Sequence, residues 1–418
     1  MKITDLRVYL TRPEGSNRSW LFVEIDTDEG VTGVGESTNS GGGGALVVGR
    51  AYEMLKHDLE GQDFSEGLIG QDPNNIDSIW HRIYRRFGTL GSRGFATTVA
   101  SGIDMALWDI KGKEAGMPVY QLLGGPCRSA VPCYAHAGGS ELPALEDSIR
   151  AFMEEGYQVI RCQLGGYGGG GFSEANTAPQ PKDPWSVNRH VFDDESYLEN
   201  IPNMFDYLRQ KLGFQVRLTH DVHEHLRPQC AVQLAKLLEP YRLFFLEDVL
   251  PPEHIQWFRL IREQCTTPQA MGELFINPHE WMPLITERLI DFVRVRVSKG
   301  AGITQCRKIA TMCEWHGVHT AWQEGGDNDP VNQIAACHLD MASPSFGIQE
   351  ENSFSPEELD AFPGHGVIEN GYLYANDQPG LGIDIDEKKA KALLNQEEAN
   401  RPHIFIPDRK ADGTAVRP

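Results

Sequence analysis

The chain has 418 residues, of which 40% are hydrophobic and 9% aromatic, a composition typical of globular proteins. A chain of this length exceeds one small core and predicts either two domains or one barrel with additions. Asp and Glu number 59 against 38 Lys and Arg, so the net charge is −21. This excess of negative charge argues against nucleic acid and anionic membranes as partners, but not against a small acidic substrate.

The sequence shows no signal for membrane insertion or secretion. No stretch reaches about 18 uninterrupted apolar residues, and the first segment, MKITDLRVYL, lacks the apolar run of a signal peptide. The eight cysteines form no CxxC motif and have apolar or strand-like neighbours. We therefore expect buried, reduced thiols in a cytoplasmic protein.

The N-terminal part, residues 1–125, predicts an α+β unit. LRVYL and SWLFVEIDTDEGVTGVGES have the alternation of strands, with a turn at Asp28-Glu29-Gly30. In TTVASGIDMALWDIKGKEAG the apolar residues recur at helical spacing, and Gly116 and Pro118 mark the end of that helix. The glycine-rich stretches 41–44 and 165–171 each follow a strand, and we expect both to be mobile loops.

From about residue 126 to about 350, short strands alternate with helices of ten or more residues. This alternation predicts βαβ units and a parallel sheet, hence an α/β fold. About eight strands occur between AVPCYAH and FGIQE, which favours a closed barrel over the alternative, a doubly wound sheet. The sequence of residues 351–418 predicts short strands and turns, and we expect this segment to pack on the N-terminal unit.

An acidic residue stands at the end of three successive predicted strands. Asp221 ends LTHD, Glu247 ends FFLE and Glu273 ends MGE, and the spacings are 247 − 221 = 26 and 273 − 247 = 26. Because adjacent parallel strands lie about 5 Å apart, the three carboxylates should meet at one rim. Bare anions at that distance repel, so the pattern predicts a hard cation such as Mg²⁺ bound to oxygen ligands. Each acid alone could equally be a solvated loop residue.

Several ionisable residues follow Asp221 in LTHDVHEHLRP. We expect His223, two residues on, to point the same way and to exchange a proton with a bound substrate, unless it is a core or surface residue. We expect His220 to be structural, and Glu224 and His225 to be exposed in a loop.

The segment ASGIDMALWDIKGKEAGMPVYQLLGG resembles the sequence that closes the capping domain of the enolase superfamily, and the three acids resemble that superfamily's Mg²⁺ site. HDVHEHLRP, EPYRLFFLED, GIQE and QPGLGIDIDE resemble the mannonate dehydratase subgroup, and the likeness covers nearly the whole chain. It implies a modified TIM barrel, (β/α)7β, over residues 126–350. It also implies an α+β capping domain formed by residues 1–125 and 351–418, and a homo-oligomer.

The resemblance implies Mg²⁺-dependent dehydration of an acid sugar, an aldonate, to a 2-keto-3-deoxy acid by α-proton abstraction and β-elimination through an enediolate. His223 matches the general acid for the leaving hydroxyl, and Arg161 matches the arginine that lowers the pKa of a catalytic tyrosine. The family's spacing for that tyrosine lands on Ser173 here. Tyr167 is the candidate base instead; otherwise its ring packs on a lid.

Four further positions match the family's substrate contacts: His136, Arg294, Asp327 and Glu350. Gln323 and, in a loop that differs from the family's, Asn39 or Ser40 are further candidates for substrate contact. Arg294 and Glu350 could instead form a structural ion pair. Gln323 replaces a histidine of the family and cannot titrate, and Arg296 stands where racemase-type relatives keep an aspartate, which disfavours a two-base racemase. The family's tail tryptophan is also missing.

These departures leave mannonate itself in doubt as the substrate and keep other interpretations open. The protein could be a close relative with a changed substrate. It could also be a metal-binding scaffold without turnover that binds a metabolite or regulates, or an epimerase that uses His223 and Tyr167.

Overall fold

The computed structural model describes residues 1–11, 19–38, 42–56, 67–86, 94–166, 192–326 and 328–393, together with residues 410 and 414. The strands are β1 (Ile3–Thr11), β2 (Trp20–Thr27), β3 (Thr32–Ser37), β4 (Val131–Gly139), β5 (Val159–Leu164), β6 (Arg217–Asp221), β7 (Phe245–Glu247), β8 (Gln269–Met271), β9 (Phe292–Val293), β10 (His319–Thr320), β11 (Gln349–Glu350), β12 (Val367–Glu369) and β13 (Tyr372–Tyr374). The helices are α1 (Gly42–Lys56), α2 (Ile76–Arg86), α3 (Phe95–Ala115), α4 (Val119–Leu122), α5 (Leu142–Glu154), α6 (Asp194–Leu212), α7 (Pro228–Leu237), α8 (Phe258–Gln264), α9 (Pro278–Thr286), α10 (Gly302–His316), α11 (Pro330–Ala342), α12 (Pro356–Asp360) and α13 (Glu387–Ala392).

The N-terminal strands β1, β2 and β3 form an antiparallel sheet on which α3 packs. The helix ends at Gly116, which has a left-handed φ of 64°, as the sequence predicts. Two glycines of β3 allow α3 to approach the sheet closely. A Cβ atom on Gly33 would lie 2.1 Å from the Ala106 carbonyl oxygen, and one on Gly35 would lie 2.0 Å from the Gly102 carbonyl oxygen. Backbone therefore packs directly on backbone at this interface.

Replacing Gly35 with alanine is expected to destabilise the protein by about 3 kcal/mol, because the added methyl collides with backbone that cannot rotate away. The matched control is Gly49→Ala on α1, where an added Cβ meets nothing within 4 Å. That change should stabilise the helix by about 0.5–1 kcal/mol. Urea unfolding of both variants measures the difference, and equal stabilities would contradict the packing described.

The parallel βα units predicted for the middle of the chain are present. Strands β4 to β10 pair in chain order, each parallel to the next, and β11 pairs in parallel with β4. This order lacks the reversal of a doubly wound sheet. Backbone hydrogen bonds also join Thr320 of β10 to Ser345 and Gly347, shortly before β11.

The segment after β11 lies against the N-terminal sheet. The ring of Phe362 packs edge-on against Trp20 and Phe22 of β2. Arg7 of β1 forms an ion pair with Glu387 of α13, with Nη1 2.7 Å from Oε1. These contacts tie the C-terminal segment to the first strands of the chain.

The prediction of a mobile loop at residues 41–44 is wrong for most of that stretch. Gly42–Gly44 begin helix α1. The helix buries Val48, Tyr52 and Leu55 in the core, and this burial outweighs the low helix propensity of glycine. The second glycine stretch lies outside the described residues from position 167 onward.

The expectation of buried cysteines without disulfides is confirmed for seven of the eight, and Cys127, which is free but exposed, is the exception. A search of the described helices for one that is both long and apolar enough to cross a membrane finds none.

Candidate active site

The three acids at successive strand ends lie at one edge of the parallel sheet. Asp221 is the last residue of β6 and stands opposite Glu247, the last residue of β7. Glu273 follows β8 by two residues. Apolar neighbours such as Leu218 and Phe245 bury the strands, and the acids themselves are 2%, 0% and 8% exposed, respectively. The strand register therefore brings three buried carboxyl groups to the same edge.

Two arginines, from the strands that flank the three acid-bearing strands on either side, lie among these acids. The guanidinium of Arg294, after β9, is fully buried, with Nη2 2.6 Å from Glu247 Oε1 and 2.7 Å from Glu350 Oε2. Arg161, on β5, places Nη1 3.3 Å from Asp221 Oδ2 and 3.2 Å from Glu350 Oε1. Positive and negative groups thus alternate across the edge of the sheet.

Burial dominates the protonation of these acids. It raises the pKa of Asp221 well above its ordinary value; Arg161 opposes this effect and Glu273 adds to it. Burial likewise raises the pKa of Glu247. Arg294 opposes this shift, and Asp221 adds to it. The arginines therefore compensate these two charges only in part.

Glu350 and Glu273 differ, because their neighbours outweigh burial. Burial alone would raise the pKa of Glu350, but Arg294 and His136 bring it below its ordinary value. Burial also opposes ionisation of Glu273, whose pKa is lowered by His223 and Arg296. Both groups are therefore carboxylates at neutral pH.

The donor set fits a hard cation. It consists of three buried carboxyl groups with oxygen donors, the ligands that Mg²⁺ prefers. A bound cation would offset the burial, and the smaller mutual repulsion, that raise two of their pKa values. Within the ranges that the structure describes, no three His, Cys, Asp or Glu side chains form a ready-made metal-binding group. Instead, Asp221 and Glu247 face Arg161 and Arg294. Convergence of the three acids on one ion stays a prediction.

His223 lies beside the acids, as predicted, but it reaches them through a turn rather than by strand alternation. The strand ends at Asp221, and His223 and Glu224 have left-handed φ values of 53° and 62°. The backbone N–H of His223 donates to Asp221 Oδ1 over 2.8 Å, and its ring Nε2 lies 3.6 Å from Glu273 Oε1. Left-handed non-glycine residues cluster at functional sites, where the surrounding contacts maintain the strain.

The same turn buries two residues that were predicted to be exposed. Glu224 and His225 are only 5% and 4% exposed, so that prediction is wrong. The left-handed turn reverses the chain direction locally, and the His225 ring stacks on His223 with centroids 5.6 Å apart. His225 therefore supports the orientation of the His223 ring.

His220 faces away from the acids, as expected from strand alternation. Its Nε2 lies 2.7 Å from the Tyr197 hydroxyl, and its Nδ1 lies 2.8 Å from the Cys162 carbonyl oxygen. Burial lowers the pKa of His220 to about 4, so the ring is neutral. Nδ1–H then donates to the carbonyl and Nε2 accepts from the hydroxyl, which is a structural arrangement.

Among the predicted substrate contacts, His136 and Gln323 border the acids. His136 Nε2 lies 2.9 Å from Glu350 Oε1; burial, aided by Arg161, lowers the pKa of His136 to about 4. Gln323 Nε2 donates to Glu273 Oε2 over 3.3 Å. Three predicted site residues, Asn39, Tyr167 and Asp327, lie outside the described residues.

The sequence interpretation missed two residues at this site. Tyr134 accepts a hydrogen bond from Arg294 Nη1 at 2.6 Å and donates to Glu247 Oε2 at 3.3 Å. It precedes His136 by two residues on β4, a spacing that places both on one face and could have identified it. Asp248 is buried beside Glu247, and its Oδ1 accepts from the Gly272 N–H at 2.8 Å.

Two family models match the chain. The Enolase C-terminal domain-like model matches residues 144–389, which is more than half of the chain. The model of the mandelate racemase / muconate lactonizing enzyme N-terminal domain matches residues 8–124.

Curated relatives and solved structures agree with these matches. A D-galactonate dehydratase family member from Paenibacillus sp. is 53% identical, with 100% of both chains covered, and a D-mannonate dehydratase from Caulobacter vibrioides is 40% identical, with 99% of both covered. A crystal structure of an enolase from Pantoea ananatis with bound D-gluconate and Mg is 42% identical, with a TM-score of 0.89 over 100% of both chains. The chain therefore belongs to the enolase superfamily, among its D-galactonate dehydratase family members, and is an enzyme of the lyase class.

Proposed function

We propose that the protein is a Mg²⁺-dependent acid-sugar dehydratase that converts an aldonate to a 2-keto-3-deoxy acid. The observation that carries this proposal is the placement of Asp221, Glu247 and Glu273 at the ends of neighbouring strands, with His223 beside Glu273. The names of the relatives and the D-gluconate and Mg of the solved relative support the same class of reaction.

The residues suit the chemistry of α-proton abstraction. The α-proton of a carboxylate is weakly acidic, so its removal requires stabilisation of the negative charge that develops on an enediolate. Mg²⁺ held by Asp221, Glu247 and Glu273 would supply that stabilisation when bound. Tyr167 is the proposed base, with Arg161 as the cation that favours its phenolate.

His223 is the proposed general acid for β-elimination. Departure of the hydroxyl group requires a proton, and a histidine can donate one near neutral pH. The left-handed turn at His223 and the stacked His225 ring orient the imidazole towards Glu273. The acid that assists elimination would therefore stand next to the acids proposed to hold the cation.

We further propose that the parallel strands close into a (β/α)7β barrel over residues 126–350, capped by residues 1–125 and 351–418. Pairing of β11 with β4 supports closure on one side. The hydrogen bonds from Thr320 to Ser345 and Gly347 support it on the other.

The substrate would contact His136, Arg294, Gln323 and Glu350, together with Asn39 and Asp327. Because Gln323 cannot titrate, it would bind a hydroxyl group without exchanging a proton. This difference favours an aldonate other than mannonate. Incubation with a library of aldonic and aldaric acids and Mg²⁺, with detection of 2-keto products, tests the proposal; absence of product from every acid would contradict it.

Replacing His223 with asparagine is expected to lower dehydration by about 100-fold or more, because asparagine cannot protonate the leaving hydroxyl. Exchange of the substrate α-proton with solvent deuterium should persist, since the base is unchanged. Proton NMR in deuterium oxide measures both reactions on one sample.

The matched control for this prediction is His81→Asn, an exposed histidine of α2, which should dehydrate at the wild-type rate. Equal rates for the two variants would exclude His223 as the acid. A metal-binding scaffold without turnover, the alternative to which the non-titrating Gln323 points, would show neither exchange nor product with the wild-type chain.

A further inference from the structure

A second group of buried acids lies where the N-terminal sheet meets α11. Glu36 on β3 and Asp329, the residue that caps α11, are both fully buried. Glu36 Oε2 accepts the Asn332 N–H at 2.9 Å, and Asp329 Oδ1 accepts the Val331 N–H at 2.7 Å. Two carboxyl groups from distant parts of the chain therefore share the N-terminus of one helix.

One oxygen of each carboxyl group in this pair lacks a hydrogen-bond donor among the described residues. Glu36 Oε1 and Asp329 Oδ2 are buried and accept no hydrogen bond from any donor in the part of the chain that the structure describes. The two carboxyl groups are nevertheless within hydrogen-bonding contact of each other. Two anions in contact would repel, whereas one shared proton converts one group into a donor for the other. The helix dipole favours the single negative charge that remains.

The surroundings of the pair favour retention of that proton. Burial raises the pKa of Glu36, and Asp329 and Glu324 raise it further; burial also raises the pKa of Asp329 to about 7. Helix α3 presents Gly102 and Ala106, which carry no charge, to β3. Among the described residues, the other charged or titratable groups near the pair or near Glu324 are Tyr52 on α1, Arg296 before α10 and Glu350 on β11, with Asp109 and Lys113 of α3 further along β3.

The pair is connected to the active site through the segment after β10. The Asn332 side chain, whose backbone N–H binds Glu36, donates to Glu324. The Glu324 N–H donates in turn to Glu350 Oε2 at 2.8 Å, and the preceding Gln323 contacts Glu273. The position of α11 against β3 thus determines where Gln323 and Glu324 meet the acids of the site.

We propose that Glu36 and Asp329 share one proton and act as positioning residues, which hold β3 against α11 and thereby place Gln323 and Glu324 in the active site. The catalytic part of this proposal rests on the proposed function. The shared proton and the placement of the segment do not, so they can be tested without a substrate.

The first test is urea unfolding of the wild type, Glu36→Gln, Asp329→Asn and the double variant from about pH 5 to about pH 9. Free carboxyl groups in the unfolded chain lose their protons at the ordinary pKa values of 4.5 and 3.8, whereas burial raises the pKa of Asp329 to about 7 and that of Glu36 well above its ordinary value, so the folded pair keeps a proton to higher pH. Between the pKa values of the unfolded and folded groups, each unit of increasing pH should raise the unfolding equilibrium constant about tenfold through this pair. At higher pH this contribution to the pH dependence should level off. Each single amide variant should lose this contribution.

The double variant separates one shared proton from two independent protons. If the pair shares a proton, the double variant loses no more pH dependence than either single variant. If each acid binds its own proton, the double variant loses twice as much, and the proposal is overturned. Glu263→Gln, an exposed acid of α8, should keep the wild-type pH dependence.

The second test measures positioning by hydrogen exchange of the backbone amides of residues 322–326. Glu36→Ala removes the contact and should increase exchange there, while Glu36→Gln should not, because its amide donates where the proton did. With an active acid sugar, kcat/KM should fall about tenfold in Glu36→Ala and stay within about threefold in Glu36→Gln. Equal exchange in the two variants would overturn the positioning role. Absence of turnover in the wild type would instead contradict the proposed function alone.

Discussion

Replacing Glu247 with glutamine is expected to lower kcat/KM for the acid-sugar substrate by about a thousandfold or more. Glu247 stands at the end of β7, opposite Asp221, and its carboxyl group is fully buried. Glutamine keeps the shape of the side chain but removes the negative charge that would hold a cation. Loss of a cation's charge stabilisation costs several kcal/mol in the transition state, and each 1.4 kcal/mol is about a tenfold change in rate.

The measurement has two parts, steady-state kinetics and calorimetric titration with Mg²⁺. Both turnover and Mg²⁺ binding should be lost in Glu247→Gln while the circular dichroism spectrum is retained. Glu263→Gln makes the same chemical change on the exposed surface of α8 and should behave as the wild type. If Glu247→Gln bound Mg²⁺ with unchanged affinity, Glu247 would not be a ligand.

Replacing Arg294 with methionine is expected to destabilise the protein by about 3–5 kcal/mol. Arg294 is fully buried, and it forms ion pairs with Glu247 and Glu350 and donates to Tyr134. Methionine preserves much of the apolar stem but leaves two buried carboxyl groups without their cation. Removal of one partner from a buried ion pair has this magnitude because the other charge remains desolvated.

The matched control is Arg259→Met, which removes an exposed ion pair with Glu287 whose Nη2–Oε1 distance is 2.6 Å. Surface pairs of this kind contribute up to about 1 kcal/mol. Urea unfolding at neutral pH compares the two variants. A loss of stability in Arg294→Met no larger than that in Arg259→Met would show that the buried carboxyl groups do not depend on Arg294.

The sequence predicts the strand ends well because their signal is local and periodic. Asp221, Glu247 and Glu273 each follow a short apolar strand, and their equal spacing matches one βα unit. Parallel pairing in chain order then brings them to one edge, as the structure shows. The C-cap of α3 at Gly116 was predictable for a similar local reason, since glycine tolerates the left-handed conformation there.

The sequence predicts most side-chain partners poorly, because these depend on contacts between distant strands; the ion pair of Arg294 with Glu350, which the sequence offered as an alternative, is present. Arg161 and Arg294 come from β5 and the end of β9, and only the folded sheet reveals that they lie between the acids. The burial of His225 depends on the positive φ of His223, which no sequence pattern indicates. Glu36 and Asp329 are 329 − 36 = 293 residues apart and carry no shared motif.

Crystals grown with Mn²⁺ in place of Mg²⁺, together with an aldonate, would test the magnesium site most directly. The anomalous difference map should contain one strong peak at which oxygens of Asp221, Glu247 and Glu273 all coordinate the ion, with the substrate carboxylate beside it. A map without a peak there, with Asp221 and Glu247 still paired to Arg161 and Arg294, would contradict the proposed chemistry.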